Sequence, residues 1–290
     1  AEVMDGGAAG TAMRFLTAVF AAREGREVTL TGSERMLERP IGPLVDALRA
    51  CGADIEYAGR EGFPPLRIRG CALAGGDVTM EATTSSQFVS ALLMAAPMMA
   101  GGLRLRLDGE IVSEPYIGLT MAMMVRAGAD VSRERDVITV APKPYTPADF
   151  EGEADWSAAA FWYEIQARTS GFVTIANLSR DSAQGDRAVA DIYSDLGVVT
   201  DYDGETPGTT DLLASPDTSP RLYIDLSSTP DLVPALTVTC VMLRIPFRFS
   251  GLSTLRIKES DRVEALRTEL GRVGVILESE TPDTLEWEGR

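Results

Sequence analysis

The chain has 290 residues, 45% of them hydrophobic, and carries 27 basic against 43 acidic side chains, a formal charge of −16. That length and balance predict a soluble globular chain, long enough for a sizeable core and two domains, and exclude a disordered or fibrous chain. A field of this sign works against nucleic acid or an anionic membrane as a partner, so an anionic substrate would need a locally basic pocket.

The sequence has no histidine, which excludes a Cys/His catalytic pair. Cys51, Cys71 and Cys240 lack CxxC spacing and lie among apolar neighbours, which suggests buried thiols rather than a disulfide framework or a metal site. The longest apolar run, 90–101, contains Pro97 and is too short to span a bilayer, and the first residues lack the form of a signal peptide, so a cytoplasmic placement is expected.

In chain order, AAGTAMR at 8–14 is a glycine-containing turn entering a helix predicted over 11–23, with Thr11 as its cap and backbone N–H groups able to meet an anion at Gly10. It has neither the P-loop lysine nor the GxGxxG spacing. Arg39-Pro40 is placed at the next helix start, where the guanidinium could grip a carboxylate or phosphate through two hydrogen bonds. Ser85, Ser86 and Gln87 precede an apolar stripe (Phe88, Ala91, Leu92, Ala95). Two hydroxyls and an amide over a positive helix end exceed what capping requires, and make a neutral anion site. Ser113 and Tyr116 flank Pro115 at the following helix start and add two hydroxyls. Asp231 heads an apolar helix predicted over 230–243, as a cap or as a base for a substrate hydroxyl. The methionines at 94, 98, 99, 121, 123 and 124 fall on apolar helical stretches and are expected to fill core.

The densest stretch is LRIKESDRVEALRTEL at 255–270, where a strand-like run passes into a helix predicted over 261–273. Asp261 is its expected cap, with Glu264 completing a capping box and Val263, Leu266, Leu270 and Val273 forming its apolar face. Lys258, Glu259 and Arg262 then crowd a positive helix end, which suits an acid/base group beside a bound anion. Taken singly, each of these features is an ordinary capped helix start.

A repeat links them. Gly52, Gly128, Gly197 and Gly274 each close a helical pattern before an alternating apolar run, at separations of 76, 69 and 77 residues. The second unit is predicted as strand 77–81, helix 85–100, strand 103–107, helix 115–127 and strands 129–132 and 137–140. The fourth repeats that order from 222 to about 285, with strands near Val275 and Leu285, and the third carries helices over 155–169 and 187–196. The first unit is predicted to begin at its helix, with its leading strand missing. The proline-rich segment 141–153 places a hinge near Glu153, giving lobes 1–153 and 154–290 of two units each.

In AGTAMR (9–14), ERPIGPLVDALR (38–49), SSQFVSALLMAAP (85–97), SEPYI (113–117), PDLVPAL (230–236) and LRIKESDR (255–262) the chain resembles the enolpyruvyl transferase family, specifically the branch acting on shikimate 3-phosphate. The six motifs run in family order. The resemblance implies a two-domain inverted α/β barrel fold built from βαβαββ units, with substrates in the cleft between domains. It implies transfer of the enolpyruvyl group of phosphoenolpyruvate to the 5-hydroxyl of shikimate 3-phosphate through a tetrahedral intermediate, with release of phosphate, by a monomer with no metal or organic cofactor. Carried over by position, Asp231 resembles the base and Glu259 the proton donor, with Lys258 able to share that role. Ser85, Ser86, Gln87, Ser113 and Tyr116 resemble the shikimate 3-phosphate site, and Gly10, Arg39, Gln87 and Arg262 the phosphoenolpyruvate site.

The chain departs from the family at Ala8, where Asn is usual, and at Thr254, where His or Asn is common. The family's N-terminal Lys-Ser motif and C-terminal Arg and Lys ligands have no counterpart in it. Two family units would need chain beyond both ends, so the sequence reads as a truncated form with little or no turnover expected. Two alternatives are a sister enzyme acting on UDP-N-acetylglucosamine, and a chain that binds substrate without turnover.

Overall fold

The computed structural model describes residues 2–81, 85–109, 111, 113–204 and 208–290. They form two compact units, 1–149 and 150–290, each with its own apolar core. The segment between the last strand of one and the first helix of the other has neither helix nor strand.

The first unit runs β1 (Glu2–Asp5), α1 (Gly10–Ala21), β2 (Glu27–Thr31), α2 (Glu34–Leu37), α3 (Gly42–Ala50), β3 (Asp54–Tyr57) and β4 (Leu66–Arg69). It then repeats as β5 (Gly76–Glu81), α4 (Ser86–Ala95), β6 (Leu103–Asp108), α5 (Glu114–Arg126), β7 (Val131–Glu134) and β8 (Val137–Val140). Its two sheets have the same order, β1-β2-β4-β3 and β5-β6-β8-β7. In each, the first two strands are parallel and the rest antiparallel.

Alternation sets the register. In β6, Leu103, Leu105 and Leu107 are buried while Arg104 and Arg106 face outward to ion pairs with Asp77 and Asp136. Helix α4 is buried at eight of its ten residues, which accounts for its lack of a polar face, and it packs against α1, α3 and α5.

The second unit runs α6 (Trp156–Gln166), β9 (Phe172–Ala176), α7 (Val189–Ser194), β10 (Leu196–Asp201), β11 (Thr209–Thr218), β12 (Leu222–Asp225), α8 (Val233–Leu243), β13 (Phe247–Ser250), α9 (Arg262–Arg272) and β14 (Leu285–Trp287). The sheet β10-β11-β9 follows the order β3-β4-β2 of the first, and β12-β13-β14 follows β1-β2-β4. Where β3 would stand in the last sheet there is one antiparallel bridge, Glu278 to Glu286.

Several expectations are corrected. The leading strand of the first unit is present: β1 pairs in parallel with β2, and its EVMD sequence shows too little apolar alternation to announce it. The strand expected near Val275 is only the Glu278 bridge. The run before α9 is a 3-10 turn (Ser253–Ile257), not a strand. Val273 is 74% exposed and ends α9 instead of joining its buried face. The 187–196 helix divides into a 3-10 turn and α7, because β10 already begins at Leu196. Cys51 and Cys240 are buried but Cys71 is partly exposed, and Met98 and Met123 lie on the surface. Gly52, Gly128 and Gly274 do follow helix ends, with φ of 98°, 85° and 87°, while Gly197 (φ 81°) sits at an irregularity inside β10.

Candidate functional site

In the first unit the singled-out residues gather at the starts of α1, α4 and α5. Ala9 caps α1 by backbone conformation alone, so the expected cap, Thr11, is left for another task. Gly10 opens the helix, and Arg14 stands one turn further along the same face.

Arg14 is 5% exposed; its guanidinium lies 5.2 Å from the Phe88 ring centroid and donates from Nη1 to Gln87 Oε1 at 2.9 Å. Gln87 Nε2 in turn donates to Thr11 Oγ1 at 3.0 Å. Arg39, 8% exposed, comes from the link between α2 and α3. Pro40 does not open a helix there; Pro43, in the first turn of α3, takes that role.

A Cβ placed on Gly10 would overlap Arg14 Nη1 and stand 2.8 Å and 3.1 Å from Arg39 Nη1 and Nη2. Two buried guanidiniums therefore converge on one backbone position at a positive helix end, and such a place holds an anion well.

Ser85 caps α4 by accepting from Gln87 N at 3.3 Å, and Ser86 beside it is buried. Ser113 occupies the start of α5 in the left-handed region (φ 55°) and makes no side-chain cap; its carbonyl accepts from Tyr116 N at 3.2 Å. A hydroxyl chain fixes α5 to α4: Thr120 Oγ1 donates to Tyr116 O at 2.8 Å and so takes its proton partner from Ser90 Oγ at 2.7 Å. Ser90 lies one turn beyond Ser86, so the Ser86 and Tyr116 backbones are held in register.

In the second unit Asp231 sits in a 3-10 turn (Pro230–Leu232) ahead of α8. Its Oδ1 accepts from Lys258 Nζ and from Arg262 Nη1, the latter at 2.7 Å, and Arg262 Nη2 donates to Glu259 Oε2 at 3.2 Å. Lys258, Asp231, Arg262 and Glu259 thus form one ion-pair chain whose members are 22%, 28%, 30% and 46% exposed, with Glu259 at the wet end.

The chain is braced from behind. Asp261 caps α9 through Glu264 N (2.9 Å) and accepts from Arg256, whose Nε also donates to Pro282 O at 2.9 Å. The reciprocal half of the expected capping box is replaced, since Glu264 pairs with Arg267. Asp283 accepts from Gly251 N and Ser253 N at 3.1 Å and 3.0 Å, which holds the turn that leads into the Lys258 motif.

The family model described as EPSP synthase (3-phosphoshikimate 1-carboxyvinyltransferase) matches residues 1–289. The chain belongs to that family.

Relatives named 3-phosphoshikimate 1-carboxyvinyltransferase include one from Bacteroides fragilis, 48% identical over 290 residues, 99% of this chain and 70% of the relative. Another, from Shewanella piezotolerans, is 36% identical over 275 residues, 94% of this chain and 63% of the relative. Among solved structures, an EPSP synthase from Acinetobacter baumannii superposes with a TM-score of 0.73 at 23% identity, covering 100% of this chain and 66% of that one, a likeness of fold. The chain therefore spans about two thirds of the length of the EPSP synthases it matches.

The family uses shikimate 3-phosphate and phosphoenolpyruvate as substrates. Against that background Arg14 is the residue that the site-by-site reading omits. Its signal was present in the sequence, since Arg14 falls four residues after Gly10 in AGTAMR and so shares its helix face. No described helix is long and apolar enough to cross a membrane.

Proposed function

We propose that the chain carries the chemistry of 3-phosphoshikimate 1-carboxyvinyl transfer: the 5-hydroxyl of shikimate 3-phosphate adds to phosphoenolpyruvate, and phosphate leaves through a tetrahedral intermediate. Ser85, Ser86, Gln87, Ser113 and Tyr116 hold shikimate 3-phosphate by neutral hydrogen bonds at helix starts. Gly10, Arg39, Gln87 and Arg262 hold the carboxylate and phosphate of phosphoenolpyruvate. Asp231 takes the hydroxyl proton, and Glu259, with Lys258, delivers a proton to the methylene carbon. Residues 1–153 and 154–290 act as the two lobes of a cytoplasmic monomer.

The observation that carries this reading is the single hydrogen-bonded chain of Lys258, Asp231, Arg262 and Glu259. It keeps a carboxylate base, a second carboxylate and two cations within reach of one substrate, which is the set the reaction demands.

Calorimetric titration with shikimate 3-phosphate, then phosphoenolpyruvate, followed by a phosphate-release assay, tests it. Saturable binding of shikimate 3-phosphate that is lost in the Ser85→Ala/Ser86→Ala double variant is expected. Phosphate release abolished by Asp231→Asn establishes turnover, and binding without release assigns the chain a substrate-binding role only. Absence of binding by a folded chain refutes the assignment.

A further inference from the structure

The amide of Gln87 can present either an oxygen acceptor or an N–H donor to a ligand, and its own rotamer does not decide which. Arg14 decides it. A guanidinium has no acceptor, so the Gln87 atom 2.9 Å from Arg14 Nη1 must be Oε1, and the opposite end of the amide must be Nε2. One Nε2 hydrogen goes to Thr11 Oγ1 at 3.0 Å; the other has no acceptor among the described residues.

We infer that Arg14 is a positioning residue that locks the Gln87 amide with its N–H outward, as a donor for an anionic ligand. Arg14 is itself immobilised, buried to 5% exposure under the Phe88 ring at 5.2 Å. The two partners are 73 residues apart in sequence and come from the second turn of α1 and the first turn of α4, so the lock forms only when those helices pack. Released, the amide would turn its oxygen toward the anion in part of the population, replacing attraction with repulsion. This inference rests on the reading of Gln87 as a substrate ligand.

The test is a double-mutant cycle on shikimate 3-phosphate affinity, measured by calorimetry on the full chain. Arg14→Met should weaken binding about tenfold in the wild-type background and by less than about twofold in the Gln87→Met background. Arg14→Lys, which keeps a donor, should restore most of the affinity, whereas Arg14→Gln, which donates and accepts, should behave as Arg14→Met. Gln87→Glu, which presents oxygen at both ends, should bind more weakly than Gln87→Met. Equal losses for Arg14→Met in both backgrounds would mean that Arg14 acts on the ligand by its own charge, and the inference would fall.

A second readout needs no ligand. The Gln87 side-chain NH₂ pair in ¹H–¹⁵N spectra, assigned by its disappearance in Gln87→Met, should be displaced from the free-glutamine position, collapse toward it in Arg14→Met or Arg14→Gln, and hold in Arg14→Lys. An NH₂ pair indifferent to Arg14 overturns the lock. Failure of the wild-type chain to bind shikimate 3-phosphate refutes the substrate assignment instead, and leaves the spectra to decide the role of Arg14.

Discussion

Adding one methyl group at Gly10 tests how tightly the two guanidiniums of Arg14 and Arg39 are packed against this backbone position. In Gly10→Ala the new Cβ overlaps Arg14 Nη1 and presses on Arg39, so the Arg14 tip must retreat by about 1 Å to reach ordinary contact. A retreat of that size directed away from Gln87 takes the 2.9 Å bond beyond hydrogen-bonding range, and that is the outcome expected. Losing a charge-assisted hydrogen bond costs about 1.5–3 kcal/mol, and alanine returns up to about 1 kcal/mol of helix propensity. The net is a destabilisation of about 0.5–2 kcal/mol, a few degrees in Tm for a unit of this size. Thermal melting by circular dichroism measures it, and titration with phosphoenolpyruvate or shikimate 3-phosphate should show affinity reduced about tenfold or more. Gly271→Ala is the control: it lies in α9 with nothing within 4 Å of the added Cβ, and should stabilise by about 0.5–1 kcal/mol. A Gly10→Ala chain with wild-type Tm and affinities would show that the two guanidiniums are not held against this backbone position.

Further outcomes follow from the second unit and the buried thiols. Asp231→Asn removes the charge that Lys258 and Arg262 both face, and should lower phosphate release at least about a hundredfold while costing about 1–3 kcal/mol, read by turnover assay and denaturant titration. Asp261→Ala strips the α9 cap and the Arg256 contact, and should cost about 1–2 kcal/mol in the same titration. Burial pushes the Cys51 thiol up to about 11 and the Cys240 thiol up to about 12, so thiol reagent at pH 8 should modify no more than one cysteine per native chain and three in denaturant. Because both folded values exceed the unfolded one, the native state retains these protons; their stabilising contribution is complete below the unfolded thiol range of about 8.5–9 and declines as pH rises toward the folded values of about 11 and about 12, which chemical denaturation across that range would record.

Short-range patterns made much of this molecule legible in its sequence. The glycines at 52, 128 and 274 mark helix ends because only a residue without a Cβ is at ease with those φ angles. The KESDR stretch announces its cluster because Glu259 and Arg262 are one turn apart on the same helix start. What was hidden depends on distant packing. β1 owes its existence to four backbone pairings with β2, not to an apolar stripe. The burial of Arg14 is set by Phe88 and Gln87, which arrive from another helix. Asp231 reads as a cap until Lys258 and Arg262, 27 and 31 residues later, claim its carboxylate.

The shared sheet order has a further consequence. Gly10, Ser85, Ser113, Asp231 and Lys258 all lie where chain leaves a strand for a helix, whereas the reverse turns, from helix to strand, hold glycines such as Gly52 and Gly274. These charged and hydroxyl side chains thus gather at one kind of connection, and the glycines that reverse the chain at the other. The turn at Val273-Gly274, with Val273 about three-quarters accessible, is accordingly where a peptide tag or reporter group can be inserted, at the opposite end of α9 from Lys258, Glu259 and Arg262.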